Sequence, residues 1–122
     1  MATFPLEDCF LAEVAHELVG VAGYRILDAT TAKTTLMAVP PAWRKAGIGR
    51  LLQTARMNYL RSQGIRELYT NCDDEQTIAW YEKHFGYQRT GQRVPKLEPF
   101  GLLDKDEWIT LKCDLDSWDP HS

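Results

Sequence analysis

Apolar and polar positions in the first third of the chain follow the pattern of extended strands. Residues 9–27, CFLAEVAHELVGVAGYRIL, are rich in Val, Leu, Ile and aromatic residues, and a polar His16-Glu17 pair interrupts them. This pattern predicts two strands joined by a short reverse turn. Residues 30–39, TTAKTTLMAV, predict a third strand, which must end at Pro40 and Pro41 because proline has no amide hydrogen to donate.

The period of the apolar positions changes after Gly47. Five of them then recur at the spacing of one helical face: Ile48, Leu51, Leu52, Ala55 and Tyr59. Gln63-Gly64 predicts the end of this helix, because glycine readily adopts the left-handed conformation of a C-terminal cap.

A second helix and three further strands complete the predicted elements. Asp73, with Gln76 three residues later, resembles a capping box, so a helix is predicted to start there and to run to about His84 before Gly86. Strands are predicted over three segments: 66–71, 87–94 and 107–115.

The predicted order is strand, strand, strand, helix, strand, helix, strand, strand. The first helix would cross over between two parallel strands, whereas the other neighbouring strands would be antiparallel. We therefore expect an α/β protein with a mixed, mostly antiparallel sheet and a central strand–helix–strand unit. A chain of 122 residues is expected to form one domain, residues 1–122.

The composition of the chain mainly disfavours certain functions: nucleic-acid binding, metal binding and membrane insertion. Lys and Arg number 14 and Asp and Glu 17, and the net charge of −3 gives no overall attraction to a nucleic-acid backbone. Cys9, Cys72 and Cys113 are an odd number without metal-type spacing, which favours reduced thiols in a cytoplasm and no metal site. Glu7 and Asp8 stand where a signal peptide has cations, and no apolar run is long enough to cross a membrane. We expect a cytoplasmic protein without nucleic-acid or membrane partners.

The stretch AWRKAGIGRLLQ places two glycines at the start of the predicted first helix. Gly47 and Gly49 have no Cβ, so a ligand can approach a backbone whose first N–H groups are unpaired and lie at the positive end of the helix dipole. Arg44, Lys45 and Arg50 add cations, and together these features suit a diphosphate. The same residues predict, with about equal weight, a tight turn in which the glycines relieve crowding. The spacing matches neither the Walker loop nor the dinucleotide fingerprint, which disfavours a kinase or dehydrogenase.

Two motifs in this chain resemble those of one enzyme family. LMAVPPAWRKAGIGRLL resembles the core motif of the GNAT superfamily of N-acetyltransferases: a strand ending in Val-x-Pro, then Arg/Gln-x-x-Gly-x-Gly/Ala opening a helix. TIAWYEKHFGY, residues 77–87, resembles the superfamily's helix with Ala-(Phe/Trp)-Tyr-Glu-Lys followed by Gly-aromatic. The motifs occur in the family's order with the RELYTN strand between them, and the resemblance covers roughly residues 10–91.

The resemblance implies a GNAT-like fold around an acyl-CoA-binding unit. It implies that acetyl-CoA, as co-substrate, donates its acetyl group to an amine acceptor that the sequence does not identify. Backbone N–H groups at the helix start would bind the diphosphate, and the pantetheine arm would pair with the strand that ends at Val39. The implied cofactor-binding residues are Met37, Ala38, Val39, Arg44, Lys45, Ala46, Gly47, Ile48, Gly49, Arg50 and Asn71.

Tyr81 matches the family tyrosine that protonates the departing CoA thiolate, and it is the implied catalytic residue. A phenol of ordinary acidity carries the needed proton at neutral pH. The alternative is core packing, because Ile78, Tyr81 and Phe85 form a helical stripe. The resemblance implies that the amine attacks the thioester directly, and no general base is assigned.

The chain also departs from the family pattern. Asp74 stands where relatives often have an asparagine near the pantetheine, and it is expected to help cap the second helix. About eight residues precede the first hairpin, so the family's usual first strand and two helices are expected to be missing. A homodimer is the expected way to cover the side that they would leave exposed. Two rival functions stay open: a non-catalytic acyl-CoA-binding or regulatory module, and a structural module without a ligand.

Overall fold

A computed structural model describes residues 2–6, 8–44, 46–97, 102 and 104–119 of the chain. Its strands are β1 (Ala2–Leu6), β2 (Cys9–Val14), β3 (Glu17–Ile26), β4 (Thr31–Ala38), β5 (Glu67–Cys72), β6 (Gln88–Pro95) and β7 (Glu107–Asp114). Its α-helices are α1 (Ile48–Ser62) and α2 (Glu75–Phe85), and a short 3-10 turn, Pro41–Trp43, leads into α1.

The strands form one seven-stranded sheet in the order β1-β2-β3-β4-β5-β7-β6. β4 and β5 are parallel, with α1 as their crossover, whereas the other neighbouring strands are antiparallel. The predicted mixed α/β fold is therefore confirmed.

β1 is a strand that the sequence pattern does not predict. It pairs antiparallel with β2 from Ala2↔Glu13 to Leu6↔Cys9. Five residues that include Pro5 carry too little periodic signal to indicate a strand, and this one is defined by its partner. β1 and β6 form the two edges of the sheet, and each of them contains a proline, Pro5 and Pro95.

The hydrogen-bonded ladder between β4 and β5 is short. The pairing runs from Thr31↔Glu67 to Lys33↔Tyr69, although β4 continues to Ala38 and β5 to Cys72. The ends of these two neighbouring strands therefore diverge, and they leave an opening inside the sheet.

The first hairpin turn lies one residue earlier than the predicted His16-Glu17 turn. Ala15 and His16 have positive φ angles of 51° and 66°, and Glu17 is already the first residue of β3. Gly64 and Gly86 follow the two helices with φ angles of 90° and 71°, in the left-handed region expected of glycine caps. Local residue chemistry thus decides where these elements end.

The apolar face of α1 packs on the sheet, and it differs in part from the face that the sequence pattern predicts. Ile48 and Leu52 are buried, whereas Leu51, predicted on the same helical face, is 37% exposed. Gln53 and Arg56 are fully buried instead. The buried stripe includes these polar residues because both find partners inside the protein: Arg56 donates to the Gly23 and Leu36 carbonyls, and Gln53 donates to the Tyr87 hydroxyl.

The N-terminus of α2 is capped by Asp74, not by Asp73, which corrects the predicted start. The Asp74 carboxylate accepts hydrogen bonds from the Gln76 N–H at 3.1 Å and the Thr77 hydroxyl at 3.2 Å. Asp73 instead binds Lys96, with 2.7 Å between Oδ2 and Nζ. Two adjacent aspartates fit a cap equally well in sequence, and a long-range partner decides between them.

We predict that Asp74→Ala lowers the free energy of unfolding by about 1 kcal/mol, because the α2 N-terminus loses its side-chain acceptor. Urea denaturation followed by circular dichroism measures this change. Asp104→Ala removes an exposed carboxylate outside the helices and is the matched control, expected to stay within about 0.5 kcal/mol of wild type. Equal stabilities of the two variants would contradict the cap.

Candidate active site

Two cavities lie at the opening between β4 and β5. The first, here called the proline cavity, has a volume of about 770 Å³ and is lined by the end of β4, by Pro40 and Pro41 and by one face of α2. The second, called the basic cavity, has a volume of about 800 Å³, and its wall includes Arg25, Lys33 and Arg56. Both volumes suit small-molecule ligands.

The two cavities share three wall residues, namely Met37, Thr77 and Tyr81. Met37 lies on the diverging part of β4, and the other two lie on successive turns of α2. A group bound in one cavity can therefore meet a group bound in the other at Tyr81. Two reactants entering from different sides would come together at this position.

Several of the predicted site residues line the proline cavity. They are Met37, Ala38, Val39, Arg44 and Tyr81. The Arg44 guanidinium is folded back on this wall, where its Nε donates to the Val39 carbonyl at 3.0 Å. The carbonyl at the end of β4 thus has a cation beside it before any ligand binds.

The start of α1 lacks the capping groups that α2 has. Its N-cap residue, Gly47, provides no side-chain hydrogen bond, and the first turn contains no acidic residue. The first helical bond runs from the Leu51 N–H to the Gly47 carbonyl, so the N–H groups of Ile48, Gly49 and Arg50 precede the helical ladder. These groups and the helix dipole make this end of α1 suitable for an anion.

Ala46 contributes less than predicted to this set of donors. Its N–H donates to the Trp43 carbonyl at 3.2 Å, within the turn that leads into α1. Lys45, the neighbouring predicted residue, lies outside the described residues.

Glycine stands at positions 47 and 49, at the start of α1, for two different physical reasons. Gly47 has a φ of 78°, a conformation that L-residues with side chains rarely adopt. Gly49 is helical, and a Cβ there would meet only the Met37 Sδ, at an ordinary contact distance of 3.5 Å. Packing within the chain therefore gives no reason for a glycine at position 49, whereas close approach of a ligand does.

Arg50 and Asn71 lie apart from the proline cavity. Arg50 lines a third cavity, beside Glu82 and Trp118 near the end of α2. Asn71 lines the basic cavity, and its Oδ1 accepts from the Thr110 hydroxyl at 2.7 Å. Their assignment to the cofactor stays a prediction.

Tyr81 is both a core residue and a wall residue of the two cavities. It is 6% exposed and belongs to the buried α2 stripe, and its ring lies 5.0 Å from that of Trp80 and 4.9 Å from that of Tyr87. Its hydroxyl accepts a long hydrogen bond of 3.4 Å from Arg56 Nη2. Packing thus fixes the ring, and the hydroxyl lies beside a guanidinium.

Arg56 is the functional candidate that the sequence reasoning missed. It is fully buried, and its Nη1 donates to the carbonyls of Gly23 at 2.8 Å and Leu36 at 3.0 Å. It also donates twice to Gln53 Oε1, and Gln53 donates to the Tyr87 hydroxyl. No carboxylate in the described part of the chain lies within ion-pair distance of Arg56.

A signal for this network was present in the sequence. Gln53 and Arg56 are polar residues three positions apart among the apolar positions of α1, which are Leu52, Met57 and Leu60. Polar groups on a buried helical face need partners inside the protein.

Cys72 and Asp73 lie on the wall of the basic cavity. Burial raises the pKa of the Cys72 thiol to about 11, so this group is a neutral thiol at physiological pH. Burial alone would raise the pKa of Asp73 as well, but hydrogen bonds from Lys96 and the Leu102 N–H lower it below its usual range. The thiol is therefore a poor nucleophile, and the carboxylate is ionised and already paired.

No three His, Cys, Asp or Glu side chains among the described residues come together as a metal site requires. Neither helix is long and apolar enough to span a bilayer.

Comparisons with known proteins agree with this geometry. A profile of the acetyltransferase (GNAT) family matches residues 2–87. The mycothiol acetyltransferase of Amycolatopsis mediterranei (strain U-32) is 31% identical over 98 residues, which are 72% of this chain and 32% of that protein. The chain thus spans about a third of the length of this curated relative.

Solved structures share the fold. Ard1 from Thermoplasma volcanium has a TM-score of 0.76 at 24% identity, covering 88% of this chain and 70% of its own. A GNAT family acetyltransferase from Elizabethkingia anophelis with acetyl-CoA bound has a TM-score of 0.73 at 17% identity, covering 87% and 74%. Because the profile match extends over more than half of the chain and includes both the start of α1 and Tyr81, the chain belongs to the acetyltransferase (GNAT) family.

Proposed function

We propose that this protein transfers the acetyl group of acetyl-CoA to an amine. The observation that carries this proposal is the meeting of two cavities at Tyr81, between the separated ends of β4 and β5. One cavity adjoins an uncapped helix start suited to a diphosphate, and the other offers a separate approach for the acceptor. A module that only bound acyl-CoA would need no second cavity at the reacting position, so we set that alternative aside.

The proline cavity and the start of α1 are the proposed acetyl-CoA site. The N–H groups of Ile48, Gly49 and Arg50 would bind the diphosphate, and the open space beside Gly49 admits it. The pantetheine arm would extend along β4, where the strand no longer pairs with β5 and where Met37 and Val39 line the cavity. In this arrangement the thioester would lie near Tyr81.

The proposed reaction is a direct attack. The amine nitrogen forms a bond to the thioester carbonyl carbon, the C–S bond breaks, and its electron pair passes to sulfur. Tyr81 donates its phenolic proton to that sulfur, the nitrogen releases a proton to water as the amide forms, and Tyr81 regains a proton from water. The Arg56 guanidinium lies beside this hydroxyl, with 3.4 Å between Arg56 Nη2 and the Tyr81 oxygen.

The cellular setting belongs to the proposal as well. All three cysteines, Cys9, Cys72 and Cys113, are free thiols, which fits the reducing cytoplasm. The homodimer is retained as a proposal, and size-exclusion chromatography with light scattering tests it directly.

We predict that Gly49→Glu abolishes CoA binding without unfolding the protein. A glutamate in the first turn stabilises a helix, so the melting temperature should not fall, but its charge and bulk oppose the diphosphate. The dissociation constant for CoA should rise at least about a hundredfold, as expected when charge-assisted hydrogen bonds are lost. Calorimetry with CoA measures this, and Asn58→Glu, an exposed site on the same helix, is the control with the same charge change. Wild-type affinity in Gly49→Glu would refute the diphosphate site.

We predict that Tyr81→Phe lowers turnover about a hundredfold, as for the loss of a general acid, and leaves CoA affinity unchanged. The ring that packs on Trp80 and Tyr87 remains, so the fold should be retained. Release of free CoA thiol with a panel of amines measures turnover. Tyr69→Phe, which removes a hydroxyl bound to Glu67, is the control. Turnover of Tyr81→Phe equal to that of the control would rule out the acid role.

We predict that native Cys72 resists alkylation and carries no acetyl group. With a pKa of about 11, roughly one thiol in a thousand is ionised at pH 8, and iodoacetamide reacts with the ionised form. Labelling should be much slower than that of the half-exposed Cys9, should accelerate as the pH rises toward 11, and should equalise in urea. Peptide mass spectrometry reads both modifications. An acetylated Cys72 after incubation with acetyl-CoA alone would overturn direct attack.

A further inference from the structure

Positive charge is concentrated in the basic cavity, although the chain as a whole has a net charge of −3. Among the described residues of the cavity wall, three are cations, Arg25, Lys33 and Arg56, and one is a carboxylate, Asp73. That carboxylate is bound to Lys96 at 2.7 Å, with both side chains largely buried, so its charge is already balanced. The cavity therefore presents an excess of positive charge to whatever enters it.

Arg25 and Lys33 lie directly opposite each other on β3 and β4. Like charges at directly paired positions of an antiparallel ladder repel and destabilise the pair. Within the described part of the chain, neither side chain forms an ion pair. An anion bound between them would turn this repulsion into two attractive contacts.

The inner end of the cavity has the same sign of charge. Arg56 is fully buried there, and its hydrogen-bond partners are neutral oxygens of Gln53, Gly23, Leu36 and Tyr81. A buried guanidinium without a carboxylate keeps a positive potential in its surroundings, because low dielectric screens it weakly.

This potential has two effects on an amine acceptor. It lowers the pKa of a bound ammonium group, because nearby like charge disfavours the protonated form, and so it favours the neutral nucleophile without a dedicated base. It also repels an amine that brings only positive charge. In an acceptor that carries an anionic group of its own, the pKa of the ammonium group is still lowered, and the attraction of the anionic group offsets the repulsion.

We propose that the acceptor is a small amine bearing an anionic group, a carboxylate or a phosphate, which binds between Arg25 and Lys33. Its amino group then points along the cavity toward Tyr81. A volume of about 800 Å³ suits a molecule of this size. This inference rests on the proposed acetyl transfer.

The test compares matched acceptor pairs in the thiol-release assay: glycine with glycinamide, and phosphoethanolamine with ethanolamine. Each pair is compared at equal concentrations of neutral amine. The anionic member of at least one pair should have a kcat/KM at least about tenfold higher, the effect of one charge-assisted contact, and the preference should shrink with added salt. The pair that responds identifies carboxylate or phosphate. Ratios near one in both pairs would overturn the inference.

The second part of the test removes the charges of Arg25 and Lys33. In Arg25→Gln/Lys33→Gln the anionic preference should fall about tenfold, whereas Arg93→Gln, an exposed arginine on β6, should keep the wild-type ratio. A double variant that keeps the preference would overturn the assignment to these residues. If wild type fails to bind CoA, the proposed function fails instead. If CoA binds but none of the four amines reacts, calorimetry with their N-acetylated products on the CoA complex must show the same anionic preference, or the inference is wrong.

Discussion

The separation of β4 and β5 is the constraint on which the site depends. Two neighbouring parallel strands that stop pairing inside a sheet leave backbone polar groups that need other partners. The Thr34 hydroxyl donates to that of Thr70 at 2.5 Å just beyond the last paired residues. Arg56 reaches from α1 to the carbonyls of Gly23 and Leu36 on the β3 and β4 side. The opening is therefore held by specific side chains, and the same guanidinium that supports it also contacts Tyr81.

The sequence predicted much of the fold because strong local signals decide where elements end. Gly64 and Gly86 were placed correctly, since a left-handed residue after a helix favours glycine whatever its surroundings. β1 escaped prediction because a short strand is stabilised mainly by its neighbour. Leu51 differs in burial from Ile48 and Leu52 for a related reason. The helical period predicts that the three residues share a face, but the sheet decides which side of that face is buried, and here it buries Arg56.

The candidate site also contains residues that the local sequence identifies and residues that only the tertiary packing reveals. The motif at the start of α1 and Tyr81 could be identified by residue type and spacing, since helix ends and a phenol have intrinsic chemistry. The positions of Arg50 and Asn71 could not, because they depend on how distant elements pack, and the two residues lie in other cavities. The buried network of Arg56 needed the tertiary structure, although its polar character on an apolar face was visible in the sequence.

The edge strands of the sheet determine whether two molecules can pair strand to strand. Each outer strand contains a proline, Pro5 in β1 and Pro95 in β6, and proline cannot donate to an intermolecular ladder. β6 adds the exposed Arg93, whose charge opposes extension of the sheet by another strand. Continuous β-pairing between molecules is thus disfavoured at both edges that the described strands form, which protects the folded chain from edge-to-edge aggregation.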